Sequence, residues 1–375
     1  MNPTEFRHRR VRTPVELINL ANLGGLSFGS LVEVYGGTKS GKSTFCYQTA
    51  EYFLEDYGDQ ARVLILDAEG AVNFDRLLFA FHLDVEGDPR ISRRPAMTIE
   101  MANDEIIRAS HDAKANGYHL LVIWDSIKVS SFKNAKKAMD AAFEKRENGG
   151  DEEEIAVRGM TEPMARAQVL GWCLNNALHE VYDAPIVILL INQITTKVNQ
   201  FNTSLDSSGG FTLRHNVNER IKFDFVKNIG GDKKDDVFKT GTMSSVTIMK
   251  SRNMPSLQNI SVVIDDTVGG RIQSEQEIPL VASKLGVLVA KSGGWYSVAP
   301  ECIPADATKE ELELYTKSRQ YRDIATSPQY LELLKKAIVK SLRDSFKMID
   351  FQYSRQEARA VQPEKEEGKT VKKTK

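Results

Sequence analysis

The chain has 375 residues and a mass of 42.0 kDa, with 41% hydrophobic and 27% charged residues, as is usual for a soluble globular protein. This length favours one large domain with a smaller appendage. The formal net charge of −1 and the pI of about 6.6 exclude attraction of nucleic acid by a global positive charge, so such a partner must be held by local clusters.

Three cysteines at unrelated spacings favour reduced thiols in a cytosolic setting and exclude a disulfide framework or a zinc site. The basic N-terminal stretch MNPTEFRHRRVRTP is not followed by a long apolar region, so it is not a signal peptide. The longest apolar run, APIVILLI at 184–191, is too short to span a bilayer. We therefore expect a cytoplasmic protein without a membrane partner.

Short apolar runs alternate with helical stretches from residue 31 onward. Strands without polar alternation that are separated by helices predict a mostly parallel sheet covered on both faces, which is an α/β fold. The last two runs follow each other closely and predict an antiparallel extension. The predicted strands are LVEVY (31–35), RVLILD (62–67), HLLVIWD (119–125), PIVILLIN (185–192), SSVTIM (244–249) and ISVVID (260–265).

Two long polar stretches interrupt the alternation, at about 130–163 and 195–215. Irregular segments of that length inside a compact domain are usually functional or disordered. From about Gln276 the sequence pattern changes to an apolar stretch followed by helix-like, charge-rich sequence. We therefore predict a core at 1–275 and a small C-terminal α/β domain at 276–350. The last segment, 351–375, has almost no apolar residues and predicts a disordered tail.

A glycine-rich stretch, GGTKSGKST at 36–44, stands between a predicted strand and a predicted helix and matches GxxxxGK[ST] in full. Glycine is needed where backbone N–H groups turn toward phosphate oxygens, Lys42 would reach the β- and γ-phosphates, and Ser43 would ligate Mg²⁺. An ordinary Gly/Ser turn is the alternative. The predicted nucleotide-binding residues are Gly36, Gly37, Thr38, Lys39, Ser40, Gly41, Lys42, Ser43 and Thr44.

Polar residues at three other strand ends supply the remaining groups that a phosphate site needs. Asp125 can hold the Mg²⁺ water shell, and Glu69 can orient or deprotonate the attacking water. Asp67 competes with Glu69 but lies closer to its strand, where it would cap or pack, and Glu69 could be an ordinary surface residue. Gln193 precedes the second polar stretch and could sense the γ-phosphate, or it could only cap the strand.

These segments, taken in order, resemble RecA-type strand-exchange recombinases, most closely the phage branch that includes the UvsX protein. The resemblance covers about residues 11 to 300. It is carried by RTPVELINLANLGGLSFGSLVEVYGGTKSGKST, LDAEGA, VIWDS, LLINQITTKV, SSGGFTLR, IMKSRNMP and GVLVAKSGGWYS.

The resemblance implies a RecA-like P-loop ATPase core that binds ATP and Mg²⁺ between adjacent subunits of a filament on single-stranded DNA. Glu69 is then the catalytic carboxylate, Gln193 the γ-phosphate sensor, and Lys250 and Arg252 reach the neighbouring subunit's nucleotide. Without the resemblance, the last two would be an ordinary basic pair at a strand end. Arg76 takes the place of a base-stacking tyrosine.

The two polar stretches correspond, under the same resemblance, to the DNA-binding loops. Such loops contact phosphates and base steps and so show little sequence preference. The implied DNA-binding residues are Met160, Arg166, Lys197, Val198, Gly209, Gly210 and Arg214.

The implied activity is DNA-dependent ATP hydrolysis that drives pairing of single-stranded DNA with a homologous duplex, with single-strand-binding and loader proteins as further partners. Two alternatives stay open: a ring-forming RecA-fold DNA motor, and a paralogue that modulates a recombinase. The N-terminus is the main departure, because only about ten residues precede the matched region where bacterial RecA has a helix and a strand.

Overall fold

The computed structural model describes residues 10–22, 24–70, 72–131, 162–182, 184–199, 202–207, 210–230, 239–252 and 259–345. The chain divides into two compact units, Met1–Ile278 and Pro279–Lys375. The predicted domain boundaries at residues 275 and 350 and the predicted disordered tail at 351–375 stay predictions. Residues 346–375 lie outside the described part of the chain.

The described residues of the two units form the following strands and helices. The strands, in chain order, are β1 Arg10–Val11, β2 Leu26–Ser27, β3 Ser30–Gly36, β4 Ala61–Asp67, β5 Ile91–Pro95, β6 His119–Asp125, β7 Ile186–Asn199, β8 Asn202–Ser207, β9 Glu219–Ile229, β10 Gly241–Lys250, β11 Ile260–Asp265, β12 Arg271–Gln273, β13 Leu288–Ala290, β14 Trp295–Val298 and β15 Arg319–Gln320. The helices are α1 Glu16–Ala21, α2 Lys42–Tyr57, α3 Phe74–Phe81, α4 Ile99–Asn116, α5 Glu162–Val181, α6 Gly210–Asn216, α7 Ile278–Lys284, α8 Lys309–Thr316, α9 Tyr321–Thr326 and α10 Pro328–Ser345.

In the described part of the first unit, ten strands form one sheet with the order β12-β11-β10-β9-β3-β7-β6-β4-β5 and with β8 paired to β7. The strands from β9 across to β5 pair in parallel, whereas β9 to β12 form an antiparallel extension. This arrangement confirms the predicted mixed α/β fold with a mostly parallel central sheet. In such a sheet the carboxyl ends of the parallel strands share one edge, where ligands usually bind.

The central strands are buried on both faces, which explains why their sequences lack polar alternation. On one face, alternate residues share a core with helices α4 and α5: Leu64, Leu66, Leu120, Val122, Trp124, Ile186, Ile188 and Leu190. The residues between them, Val63, Ile65, Leu121, Ile123, Val187 and Leu189, are also buried. Helix α2 contacts β3, β4, β6 and β7 and buries its own Phe45, Ala50 and Phe53.

Two parts of the sheet differ from the expectation. Strands β5, β9 and β12 were not predicted, because the sequences ISRRP and ERIKFDFVKNI are rich in charge. Within the polar stretch expected to be irregular at 195–215, β7 continues to Asn199 and pairs antiparallel with β8, and α6 begins at Gly210. Thr195, Thr196 and Val198 are β-branched, and such residues favour strands whatever their polarity.

The second unit contains the antiparallel sheet β13-β14-β15 and helices α8 to α10. Helix α8 begins with a capping box between Thr308 and Glu311. The buried Tyr315 hydroxyl donates to the Leu333 carbonyl over 3.1 Å and so joins α8 to α10. Among the helices described in either unit, none combines the length and the apolar composition needed to cross a membrane.

Candidate nucleotide-binding site

The glycine-rich loop follows β3 directly, and α2 begins at its Lys42. Gly41 has a φ of 97°, and a Cβ there would lie 2.5 Å from Ile264 Cδ1. At Gly36 an added Cβ would lie 1.9 Å from the Phe223 carbonyl oxygen. Both positions therefore require glycine, and the tight path that they permit brings the backbone N–H groups of the loop to the N-terminus of α2.

Lys42 is buried within this loop, and its Nζ donates to the Gly37 carbonyl oxygen over 2.6 Å. Burial lowers the pKa of Lys42 below its usual value, and the nearby Asp125 carboxylate opposes that effect. A buried ammonium that donates to a neutral carbonyl of the loop is well placed to bind an anion.

Ser43 and Asp125 meet at the start of α2 and the end of β6. The Ser43 hydroxyl and the Tyr47 hydroxyl each donate to Asp125 Oδ2 over 3.1 Å. A hydroxyl and a carboxylate at this spacing fit Mg²⁺, which prefers oxygen ligands and binds through few protein groups together with phosphate and water. Burial, reinforced by the Glu69 charge, raises the pKa of Asp125 from 3.8 to about 6.

The raised pKa of Asp125 makes the ligand-free protein less stable at neutral pH. The unfolded carboxyl ionises near pH 3.8 and the folded one near 6, so this group lowers stability progressively between those values and by a constant amount above them. We expect Asp125→Asn to raise the melting temperature at pH 8 by about 3–6 °C and to leave it nearly unchanged at pH 4. Thermal unfolding across pH measures this difference, with the exposed Asp112→Asn as the control. An equal shift at both pH values would contradict it.

Glu69, Ser126, Gln193 and Lys128 form a connected group beside the loop. Glu69 Oε1 accepts from Ser126 Oγ over 2.7 Å and from Gln193 Nε2 over 3.2 Å. Gln193 Oε1 accepts in turn from Lys128 Nζ over 3.2 Å. In register, Gln193 pairs with Gly36, so this group lies at the same sheet edge as the loop. Glu69 is exposed there and therefore accessible to a water molecule.

Asp67, the competitor of Glu69, is engaged elsewhere. Its Oδ2 accepts from Arg93 Nη2 over 2.6 Å, and its Oδ1 accepts from the Gly70 backbone N–H over 2.8 Å. The side chain is buried between these partners. Asp67 thus anchors the turn that carries Glu69.

A buried polar network lies beneath the loop and fixes the strand end before Gln193. The Glu33 carboxylate on β3 accepts from Arg220 Nε and, over 2.9 Å, from Asn192 Nδ2. Asn192 Oδ1 accepts the backbone N–H of Gln193 over 2.9 Å, and the Arg220 guanidinium stacks 4.6 Å from the Tyr35 ring centre. Buried charges need such complete partnering, and the result is a rigid origin for the hairpin that follows.

Lys250 and Arg252 were predicted to reach a neighbouring subunit. Lys250 is the last residue of β10, and Arg252 stands two residues after it. Lys250 Nζ donates to the carbonyl oxygens of Arg214, His215 and Val217 over 2.7, 3.1 and 2.7 Å. It therefore binds the C-terminal end of α6 within its own chain, where a cation is favoured by the helix dipole. Arg252 is exposed.

Arg76 lies on α3, close to Gly270, which directly precedes β12. Its Nη2 donates to Thr44 Oγ1 over 3.3 Å and lies 3.3 Å from the position that a Cβ on Gly270 would occupy. Arg76 is exposed, and this places a planar cation next to the start of α2. That position is compatible with stacking on a base.

The residues predicted to bind DNA are only partly within the described chain. Met160 and Gly209 lie outside the described residues, and Lys197 and Val198 are described in backbone only, on the hairpin strand β7. Gly210 begins α6, and its contact with DNA stays a prediction. Arg166 lies on α5, where its Nη2 donates to the Ile127 carbonyl.

Three residues of this site were not anticipated from the sequence. Tyr47 binds Asp125, Ser126 binds Glu69, and Lys128 binds Gln193. Two of them stand in the short stretch DSIK that begins at Asp125. The signal that could have indicated Ser126 and Lys128 is a hydroxyl and a cation shortly after a candidate metal-binding carboxylate at a strand end.

The sheet, the loop between β3 and α2 and the carboxylate at the end of β6 together define a mixed α/β protein with a mostly parallel central sheet and a candidate phosphate-binding loop. Comparison with known proteins narrows the class. The chain is 27% identical over 286 residues to Protein RecA of Ureaplasma parvum serovar 3, covering 75% of this chain and 74% of that protein. It is 26% identical over 336 residues to Protein RecA of Legionella pneumophila, covering 88% and 85%.

A third relative, Protein RecA of Dichelobacter nodosus, is 25% identical over 307 residues, which cover 81% of this chain and 75% of that protein. No family model matches the chain. Relatives of one name that span most of the chain support a RecA-type family, and the mixed α/β fold is consistent with a RecA-like core.

Proposed function

We propose that this protein is an ATP-dependent recombinase, which binds single-stranded DNA as a filament and promotes homologous pairing and strand exchange. The contact between Glu69 and Gln193 carries the proposal. It joins a candidate hydrolytic carboxylate to the residue from which the hairpin β7–β8 departs. Within the family we propose the phage UvsX-like branch, on the sequence resemblance alone.

The proposed nucleotide site is built from residues of one chain at the carboxyl end of β3. The loop N–H groups and Lys42 bind phosphate, and Ser43 with Asp125 would hold Mg²⁺. The metal ion, when bound, neutralises phosphate charge and orients the terminal phosphoryl group. Glu69 then orients a water molecule and accepts its proton.

Gln193 is proposed to report the nucleotide to the DNA-binding segment. Its amide contacts Glu69 on one side and Lys128 on the other, so an anion between these groups must rearrange it. Gln193 is followed at once by the hairpin, and the network of Glu33 and Asn192 keeps the strand below it fixed. A change at Gln193 is therefore directed outward along the hairpin and not into the sheet.

The proposal is tested by ATP hydrolysis with and without single-stranded DNA, coupled to electron-microscope images of the same sample. We expect stimulation of at least about tenfold, because hydrolysis that uses a cation from the neighbouring subunit depends on assembly. Helical filaments on the DNA are expected. Closed rings would indicate a DNA motor, and a lack of DNA-stimulated turnover at micromolar protein would indicate a modulating paralogue. Either result contradicts the proposal.

A further inference from the structure

Lys128 extends from a short turn that follows β6 and is held on several sides. The Ile127 backbone N–H donates to the Ile191 carbonyl over 3.0 Å, and Ser126 Oγ donates to Glu69 over 2.7 Å. At the end of the turn, the Trp124 indole N–H donates to Ser130 Oγ over 3.0 Å. Because the turn is anchored to β7 and to the core, the position from which Lys128 starts is fixed.

The Lys128 ammonium reaches the group that surrounds the candidate hydrolytic carboxylate. It donates to Gln193 Oε1 over 3.2 Å, and Gln193 Nε2 donates to Glu69 Oε1 over the same distance. An ammonium has three donor hydrogens, and the Gln193 carbonyl takes one of them. Lysine binds phosphate as a point charge and can move between acceptors on its flexible stem.

Lys128 also lies at the sheet edge that carries the phosphate loop. Its partner Gln193 pairs in register with Gly36, the first residue of that loop. The Lys42 ammonium contacts Gly37 in the same loop, so Lys42 and Lys128 are two cations at this edge. A phosphate between the two cations would be attracted by both, whereas a nucleotide without its terminal phosphate would leave Lys128 on Gln193.

We propose that Lys128 is a further binding residue of the nucleotide site, whose ammonium contacts the terminal phosphate of a nucleoside triphosphate and leaves the Gln193 carbonyl to do so. The inference rests on the proposed ATP site. It adds a cation supplied by the same chain, in addition to those expected from a neighbouring subunit. It also gives Gln193 two states, one bound to Lys128 and one released.

The test compares the binding of two probes, Mg-ADP and the slowly hydrolysed Mg-ATPγS, to the full chain by isothermal titration calorimetry. Removal of one charge-assisted hydrogen bond should weaken the triphosphate alone. We expect Lys128→Met to raise the Kd of Mg-ATPγS by about tenfold or more and to change the Kd of Mg-ADP by less than about twofold. Lys128→Arg, which keeps the charge, should recover most of the loss.

Lys114→Met is the matched control, since it removes the same charge from an exposed lysine that pairs with Glu180. Neither probe should bind it differently from the unaltered protein. Lys128→Gln, with a shorter polar side chain, provides the same comparison if the Met variant does not fold. The inference is overturned if both probes weaken equally in the Lys128 variants, or if neither does. Unaltered protein that binds neither probe would instead overturn the proposed ATP site, and the inference with it.

Discussion

Glu69→Gln is expected to lower the rate of DNA-stimulated ATP hydrolysis by about 10²–10⁴-fold, which is the usual contribution of a general base. The amide keeps the shape of the side chain and can still accept from Ser126 and Gln193, but it cannot take a proton from water. ATP binding and ATP-dependent DNA binding should persist, because Lys42 and the loop are unchanged. Phosphate release and DNA fluorescence anisotropy, measured on the same preparation, separate these two effects.

Asp67→Asn is the informative companion to this variant. Asp67 is the competing carboxylate, and it pairs with Arg93 and supports the turn at Gly70. Loss of the Asp67 charge should lower thermal stability. It should reduce the rate of ATP hydrolysis much less than the loss of the Glu69 carboxylate does. If Asp67→Asn abolished hydrolysis in a stably folded protein while Glu69→Gln retained most of it, the assignment of the two carboxylates would be reversed.

The central sheet could be predicted from the sequence because its strands are buried on both faces. Burial on both sides leaves a continuous apolar run, and HLLVIWD coincides with β6 to the residue. Strand β9 shows the opposite case, since its outer half is partly exposed and carries Lys222, Asp224 and Lys227. A strand near the antiparallel side of a sheet needs no apolar run, so its sequence does not distinguish it from a loop.

Some residues of the candidate site could also be predicted from the sequence, and others could not. Residues fixed by the backbone path, such as Gly41 and Lys42, follow from a contiguous motif. The contacts of Glu69 with Gln193 and of Lys128 with Gln193 join residues 124 and 65 positions apart, and only the strand order brings them together. The resemblance could supply roles for Glu69 and Gln193, but not for Lys128.

Lys250 illustrates a contact that a motif cannot give. The resemblance assigns it to the neighbouring subunit's nucleotide, whereas in this single chain its ammonium binds three carbonyl oxygens at the end of α6. Burial is the first cause of its lowered pKa, followed by the charges of Arg252 and Arg220. We propose that both contacts are used in turn. The one to α6 would hold the end of the DNA-binding segment until assembly presents a phosphate.

Lys42→Ala is expected to remove nucleotide-dependent behaviour altogether. The ammonium is buried in the loop, and its loss removes the cation that contacts the Gly37 carbonyl oxygen. Loss of a charge-assisted hydrogen bond should weaken ATP binding by about 10–100-fold, and loss of transition-state stabilisation should reduce hydrolysis by a further 10²–10³-fold. DNA binding measured by anisotropy should then be equal with ATP, with ADP and without nucleotide.

The exposed Lys114→Ala serves as the control for loss of charge, and circular dichroism confirms the fold of both variants. Lys42→Ala differs from Glu69→Gln in its expected DNA binding. Glu69→Gln should bind DNA more tightly with ATP than without it, because binding is intact and turnover is blocked, whereas Lys42→Ala should show no such difference. If Lys42→Ala retained ATP-dependent DNA binding, the triphosphate would have to be held elsewhere. The loop between β3 and α2 would then be a structural turn only.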